Sequence, residues 1–365
     1  MSSNSSKKDL DEGIDLEEIA SEEEDYISSP PQYDITTYPA DYTLSGLLDL
    51  WKQEAVLIPR FQRQFVWKLV QASKLIESFL VGLPVPAIFL YTERKSNKYL
   101  VVDGQQRLKS IFFFFEGFFA EEEKGTRKVF RLKGLSEKSK WHDCTYEDLD
   151  EEDKRKLKNC VLRAFIVKQL DPDDDTSVYH IFERLNTGGT QLTNQEVRNC
   201  VFGGPFNDLL LELNDNSDWR QILGKPHKDP RQKDAELMVR FFALRNLDEY
   251  EKPLKDYLSR FMRRHRHADK KFLEKSRAVF EQTCETVLKE LGPKPFHVRA
   301  GLNAAVFDSV MVAFSEHPSD IPKNVKKRYD RLVIDEDYVS YISSGTTGEE
   351  VVRKRFGLAK KILFE

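Results

Sequence analysis

A turn between an apolar run and a helical pattern carries the side chains best suited to chemistry. It consists of Asp103, Gly104, Gln105, Gln106 and Arg107. The preceding run, Tyr99–Val102, predicts a buried strand, and a helix is predicted to begin near Arg107. Backbone N–H groups at a helix start, together with the helix dipole, favour a bound anion such as phosphate. Arginine offers phosphate a forked donor, and a carboxylate can hold a metal ion or a water molecule.

Predicted strands and a helix surround this turn. Apolar runs bounded by turn residues predict short buried strands at 56–59, 87–91, 99–102 and 161–167. Apolar residues recur at steps of three and four between Leu69 and Leu80, which predicts an amphipathic helix ended by Gly82 and Pro84. The polar segment 93–98 joins two of the strands, so we expect them to form a hairpin.

The helix after the turn is rich in phenylalanine. One helical face carries Leu108, Ile111, Phe112, Phe115 and Phe119. Phe113 and Phe114 lie off that face, which leaves two interpretations open. We favour burial of the helix on most sides over contact of some rings with a partner.

The pattern becomes helical from about Asp171 onward. Further helices are predicted at 233–247, 253–265, 268–291, 299–315 and 346–362. Residues 1–38 are rich in Ser, Asp and Glu and cannot bury enough apolar surface to offset the entropy of ordering, so we expect a disordered acidic tail. The sequence therefore predicts an α+β protein, with a mixed α/β domain at 39–170 and an all-helical domain at 171–365.

Composition and charge argue against several classes of protein. A net charge of −4 argues against nucleic-acid binding through bulk charge, although a local basic face stays open. No apolar stretch reaches the roughly 20 residues of a membrane-spanning helix. The four cysteines are scattered without a C-x-x-C pair, which argues against a disulfide framework or a zinc site. Because the N-terminus shows no signal-peptide pattern, we expect a cytoplasmic protein that is not secreted, with the nucleus as an open alternative.

A second group of polar side chains precedes the first predicted helix. The segment Ile58–Trp67 places Arg60, Gln62 and Arg63 among three aromatic residues. The arginines could bind phosphates and the glutamine could contact a base or a water. Equally, the aromatic rings could pack while the arginines lie at the surface.

A third group lies near the start of the helical half. The segment Phe182–Glu196 contains Arg184 and Asn186, followed by a Gly-Gly pair that would let the backbone approach a ligand closely. Thr193 and Glu196 have the spacing of a helix capping box. A capped helix explains the glycines and the box without a ligand, but it explains Arg184 and Asn186 less well.

Together the three segments resemble the N-terminal domain of GmrSD-type restriction enzymes. The shared order is Ile-Pro-x-aromatic-Gln-Arg-x-aromatic-x-Trp, then Asp-Gly-Gln-Gln-Arg-Leu, then Phe-x-Arg-Leu-Asn-x-Gly-Gly-x-x-Leu-Thr-x-x-Glu. The resemblance covers roughly residues 41–205. It implies a fold similar to that of ParB and sulfiredoxin, in which the strand-to-helix turn binds a nucleotide. It also implies hydrolysis of nucleoside triphosphates in defence against phage DNA.

The resemblance implies a role for each matching residue. The implied catalytic residues are Asp103, Gln105, Gln106 and Arg107. The implied nucleotide-binding residues are Arg60, Gln62, Arg63, Gly104, Arg184 and Asn186. Asp103 would orient a water or a metal-bound water, and the two glutamines would position phosphate oxygens or the attacking water. Arg107, Arg63 and the backbone of Gly104 would cradle the phosphates. The implied cofactors are a nucleoside triphosphate and Mg²⁺, with no dedicated metal site in the protein.

The chain departs from the family pattern after residue 205, where no HNH-nuclease signature follows. We therefore expect nucleotide turnover rather than DNA cleavage. Two alternatives stay open: a ParB-like DNA-binding or nuclease module, and a non-catalytic interaction protein on the same fold. Besides the nucleotide, the open partners are DNA, a separate nuclease subunit and a second copy of the chain. No membrane partner is expected.

Other charged groups have simpler explanations. The basic cluster Arg260–Lys271 could contact nucleic-acid phosphates, but we favour a solvated helix end. His265 and His267 point apart on a helix, which argues against a metal site. The acidic run Glu22–Asp25 could contact a basic partner, but a solvated tail is the favoured interpretation.

Overall fold

The chain folds into two units. A computed structural model describes residues 14, 16, 35–58, 65–92, 98–123, 126–170, 181, 193–299 and 301–365. The sheet unit spans Pro31–Gln191, and the helical unit combines Met1–Pro30 with Leu192–Glu365. The predicted domain boundary at 170/171 thus differs from the division between Gln191 and Leu192. The α+β class is confirmed, whereas the closer likeness to ParB and sulfiredoxin stays a prediction.

The sheet unit alternates strands and helices along the chain. Its strands are β1 (Ile35–Thr43), β2 (Val56–Leu57), β3 (Ile88–Thr92), β4 (Tyr99–Asp103), β5 (Phe118–Glu123), β6 (Thr126–Val129) and β7 (Val161–Gln169). Its helices are α1 (Leu44–Lys52), α2 (Leu69–Val81), α3 (Gln105–Glu116) and α4 (Glu151–Asn159). The strands predicted at 87–91, 99–102 and 161–167 are confirmed, as are the predicted helices before and after the turn. Of the strand predicted at 56–59, the structure shows Val56–Leu57, and residue 59 lies outside the described residues.

Five of these strands form one mixed sheet in the order β1-β7-β3-β4-β2. β1 runs antiparallel to β7, and β3 runs antiparallel to β4 as the predicted hairpin. β3 is parallel to β7, and β2 is parallel to β4. Phe89 lies opposite Asp103, so the end of β4 meets the beginning of β3. β5 and β6 form a separate two-stranded ribbon.

The prediction of a disordered tail over residues 1–38 is corrected at residues 14, 16 and 35–38, and the other residues of the tail lie outside the described part of the chain. β1 begins at Ile35 and pairs with β7 from Gln169 onward, because its β-branched residues suit a strand. The strand was not predicted because most of its side chains are exposed and give no apolar alternation. Ile14 is only 3% exposed and contacts the helical unit. β1 lies at the edge of the sheet and carries Pro39 opposite Phe165.

The phenylalanine-rich helix α3 is buried, as favoured from its pattern. Phe112 is 1% exposed and Phe114 is fully buried. The ring of Phe113 lies 5.2 Å from that of Phe65, which shows that the off-face rings also have intramolecular neighbours. Phe119 lies in β5 rather than on the helix. These contacts leave little of α3 for a partner.

Besides a short 3₁₀ helix at Leu247–Glu249, the described part of the helical unit contains ten α-helices. They are α5 (Asn194–Val201), α6 (Pro205–Leu213), α7 (Ser217–Leu223), α8 (Lys233–Leu244), α9 (Leu254–His265), α10 (Lys270–Leu291), α11 (Ala304–Glu316), α12 (Val325–Leu332), α13 (Glu336–Tyr341) and α14 (Glu349–Phe364). The sequence did not predict α6, α7, α12 and α13, since each is too short for a clear apolar period. Across the described residues, none of the helices combines the length and apolar character of a membrane span.

A buried charge cluster joins three helices of this unit. Arg240 Nε and Nη2 donate to Asp308 Oδ1 and Oδ2 at 3.0 and 2.6 Å. Arg355 Nη2 lies 3.8 Å from Asp308 Oδ2, and Arg355 Nη1 donates to the carbonyl of Thr346 at 2.7 Å. Burial lowers the pKa of Arg355, whereas the Asp308 carboxylate opposes that shift. Asp308 thus compensates two buried guanidinium groups.

Replacing Asp308 with Ala should destabilise the helical unit by about 3–5 kcal/mol, because it leaves buried charges uncompensated. Urea unfolding followed by fluorescence of Trp219, which is buried in this unit, measures the effect. The matched control is Asp330→Ala, which removes an exposed carboxylate paired with Lys326 and should change stability by less than about 0.5 kcal/mol. Equal unfolding midpoints for the two variants would contradict the assignment.

Candidate functional site

Gly104 sets the geometry of the turn between β4 and α3. Its φ is +98°, a conformation that residues with a side chain rarely adopt. A Cβ atom at this position would lie 2.3 Å from Ile88 Cγ2. Gly104 is also the N-cap of α3 and supplies no side-chain cap. The first turn of α3 therefore lies beside Ile88, the first residue of β3. The N–H groups of a first helical turn have no partner within the helix.

An ion pair lies across this turn. Arg107 Nη2 donates to Asp103 Oδ2 at 2.8 Å and to the carbonyl of Ala87 at 3.2 Å. The side chains of Arg107 and Asp103 are 15% and 27% exposed, so both are held in place yet reachable. Arg107 Nε is buried and has no hydrogen-bond partner among the described residues. The guanidinium is therefore fixed at the turn by its partners Asp103 and Ala87.

Gln106 has a role that the sequence did not predict. Its Oε1 accepts hydrogen bonds from the backbone N–H of Val66 at 3.0 Å and of Trp67 at 3.2 Å. Val66 and Trp67 close the first polar segment, so this side chain joins that segment to the turn. The implied role of Gln106 was to position phosphate oxygens or water, whereas the observed contacts position a loop. The first two motifs are thereby brought together.

The other implied nucleotide-binding side chains lie outside the described residues. They are Arg60, Gln62, Arg63, Arg184 and Asn186. The described residues before and after the first polar segment bond to β4 and α3, the two elements that the turn connects. On one side, Val56 of β2 pairs with Tyr99 of β4. On the other, the backbone of Val66 bonds to Gln106 of α3.

The third motif ends in the predicted capping box, which is confirmed. Thr193 Oγ1 accepts the N–H of Glu196 at 3.2 Å, and Glu196 Oε2 accepts the N–H of Thr193 at 2.6 Å. These two residues begin α5. Their spacing in the sequence is therefore explained by helix initiation, without a ligand.

A cavity of about 460 Å³ lies at the same end of the sheet. Its walls include Leu83, Pro84, Val85, Ala87, Val161 and Arg163. Ala87 belongs to both features, since its carbonyl accepts a hydrogen bond from Arg107. At the cavity, Arg163 donates to both carboxylate oxygens of Asp41 at 2.8 and 2.9 Å and holds the pKa of Asp41 below its usual value.

Sequence reasoning missed this cavity. Asp41 and Arg163 lie on different strands, 122 positions apart, so their pairing has no local signal. The one signal available was the Gly-Leu-Pro loop after α2, where Leu83 is 58% exposed. A large apolar side chain in such a loop can mark a surface that receives a ligand.

His265 of α9 packs against aromatic side chains. Among the residues that the structure covers, no cluster of three or more His, Cys, Asp or Glu is placed to hold a metal ion. The His265 ring stacks on Phe272 at 4.2 Å between centroids, and burial lowers its pKa. In the basic cluster Arg260–Lys271, Arg264 pairs with Glu249. This pairing reduces the positive charge that nucleic acid would meet.

Comparison with known families agrees with the motifs. Residues 44–203 match the family model described as the GmrSD restriction endonuclease, N-terminal domain. The matched range contains all three polar segments and extends through α5. No curated protein matches the chain. The segment 44–203 therefore belongs to the GmrSD restriction endonuclease N-terminal domain family.

Proposed function

We propose that the sheet unit binds a nucleoside triphosphate at the turn Asp103–Arg107 and hydrolyses it, in a role related to restriction systems. The observation that carries the proposal is the fixed guanidinium of Arg107 beside a glycine-opened helix start. A helix N-terminus and an arginine both favour phosphate. The family match supports the link to restriction systems.

Hydrolysis would proceed by attack of a water oxygen on the γ-phosphorus. The bond from that phosphorus to the bridging oxygen breaks, which releases a nucleoside diphosphate and inorganic phosphate, and the proton lost by the attacking water passes to the released phosphate or to solvent. Asp103 would orient the water, and Arg107 would stabilise the negative charge on the phosphoryl oxygens. Because Arg107 is already held by Asp103 and Ala87, little reorganisation would accompany the reaction.

The turn fits Mg²⁺ as a companion of the triphosphate. Mg²⁺ is usually bound through one or two carboxylates together with substrate phosphates, and Asp103 supplies a partly exposed carboxylate. When bound, the ion would neutralise charge on the phosphate oxygens. Asp103 is the residue that would hold it.

The other residues implied by the resemblance keep a place in the proposal. We assign Arg60, Gln62 and Arg63 to phosphate contact, because both flanks of their segment are attached to β4 and α3. Arg184 and Asn186 keep the nucleotide-binding role that the resemblance implies, and Gln105 keeps its role beside the phosphates. Gln106 is instead a positioning residue for the first segment.

The cavity beside Ala87 would receive the nucleoside. It touches the turn through Ala87 and offers apolar walls at Leu83, Pro84 and Val85. A base and sugar need a largely apolar pocket with a few polar groups. Arg163 and Asp41 at this cavity supply such groups.

Asp103→Asn should lower triphosphate hydrolysis by roughly 100-fold or more, since it removes the charge that orients the water or holds Mg²⁺. Phosphate release from each of the four ribonucleoside triphosphates with Mg²⁺ measures the effect. Asp49→Asn, an exposed carboxylate change in α1 of the same unit, should leave the rate unchanged. Failure of the unaltered protein to bind or hydrolyse any of the four would refute the proposal.

The alternative, that the unit binds DNA, predicts a different binding behaviour. DNA affinity that falls steeply with salt and is lost in Arg107→Ala, without any triphosphate binding, would replace the nucleotide proposal. Binding of a triphosphate that is lost in Arg107→Ala would support it. Circular dichroism of the variant separates loss of binding from loss of fold.

Gln106→Ala should weaken triphosphate binding about tenfold, because two backbone N–H groups lose their acceptor. Gln106→Glu keeps the acceptor oxygens and should restore slow amide exchange at Val66 and Trp67. If the side-chain NH₂ of Gln106 instead contacts phosphate, the glutamate would repel the ligand. In that case Gln106→Glu would bind more weakly than Gln106→Ala, which would contradict the positioning role.

Leu83→Glu should weaken triphosphate binding at least about tenfold, because it places a negative charge in the cavity beside the phosphates. Val81→Glu is the matched control, since Val81 is 52% exposed and is not among the cavity walls. Its affinity should stay within a factor of about three. Similar affinities for the two variants would exclude the cavity as the nucleoside site.

A further inference from the structure

The acidic N-terminal segment makes specific contacts with the helical unit. The Ile14 N–H donates to Asp229 Oδ2 at 2.5 Å, and Lys233 Nζ donates to the Ile14 carbonyl at 2.9 Å. The Ile14 side chain is 3% exposed. Leu16 forms a parallel bridge with Leu302. Both backbone polar groups of Ile14 are thus satisfied by side chains of the helical unit.

The receiving surface is held in place by its own hydrogen bonds. Asp229 is 5% exposed, and its Oδ1 accepts the N–H of Arg231 at 2.7 Å. The N–H of Asp229 donates to Asp234 Oδ2 at 2.9 Å. The carboxylate that meets Ile14 is therefore oriented by the turn before α8. A fixed acceptor of this kind recognises an extended backbone at low entropic cost.

The surface that contacts the segment combines apolar and charged side chains. Leu16 forms one wall of a cavity of about 350 Å³, and Arg231, Lys233 and Arg240 are among the other walls. In the sequence, Ile14 and Leu16 alternate with Asp15 and Glu17. Arg240 pairs with Asp308 and Arg231 pairs with Glu196, whereas Lys233 reaches the segment itself through the Ile14 carbonyl. Apolar residues at alternate positions of an extended segment suit a surface that offers apolar contact together with hydrogen-bond partners for the backbone.

We propose that the helical unit carries a docking site for an extended peptide of alternating apolar and acidic residues, and that the chain's own segment around Ile14–Leu16 occupies it reversibly. A contact this small is weak for a free peptide. A covalent tether raises the effective concentration of the segment to roughly the millimolar range and keeps the site filled. The same segment supplied as a separate molecule should therefore bind only when the tethered copy is disabled.

The test uses a fluorescent peptide with the sequence of residues 10–20 and the full chain as receptor. Fluorescence anisotropy should show at least tenfold tighter binding to the Ile14→Asp chain than to the unaltered chain, because the tethered competitor is lost. A peptide that itself carries Ile14→Asp should not bind. Equal binding to both chains, or none to the Ile14→Asp chain at about millimolar concentration, would overturn the proposal.

Two lysine variants distinguish specific recognition of the peptide from general attraction between charges. In the Ile14→Asp chain, Lys233→Met should weaken peptide binding several-fold, because it removes the donor to the Ile14 carbonyl. Lys270→Met removes the same charge from a side chain that is 90% exposed and should have no effect. Equal losses in the two variants would overturn the proposed contact.

Amide exchange tests the contact without disrupting the tail. The Ile14 amide should exchange slowly in the unaltered chain and in Lys270→Met, and faster in Lys233→Met. Fast exchange in the unaltered chain would overturn the proposal, even if Ile14→Asp fails to fold. A dimer that forms with rising concentration and is abolished by Ile14→Asp would show that the segment docks on a second copy, which would overturn docking within one chain.

Discussion

The backbone conformation of Gly104 is the constraint on which the rest of the sheet unit's site depends. Its positive φ reverses the chain within one residue, so β4 ends and α3 begins against Ile88. Any side chain here would collide with Ile88 and would also strain the backbone. That reversal places Arg107 one helical turn from Asp103, where the two can pair. The ion pair at the turn thus depends on a residue without a side chain.

The same turn organises residues that are distant in sequence. Gln106, in the first turn of α3, reaches the backbone at Val66 and Trp67, about forty positions earlier. The parallel pairing of β2 with β4 attaches the other end of that segment. A polar side chain in one motif can therefore hold the backbone of another. Nothing in the sequence indicated these contacts of Gln106, because they join residues about forty positions apart.

The sequence predicted the elements whose apolar pattern is long or sharply bounded. The strand Tyr99–Asp103, its hairpin with β3 and the helix α2 are confirmed because each buries a regular apolar face. β1 was missed because its side chains are mostly exposed and its stability comes from pairing with β7, which leaves no local pattern. The pairing of Asp41 with Arg163 at the cavity could not be predicted from the sequence either, because it forms only when β1 pairs with β7 in the sheet.

Pro39 in the edge strand β1 has a consequence for self-association. An edge strand offers a row of backbone donors and acceptors to which another chain can add. Proline lacks an N–H, so the nine-residue strand β1 cannot present an unbroken row. Pro39 therefore hinders the addition of a strand from another chain at this edge, and with it aggregation through strand addition.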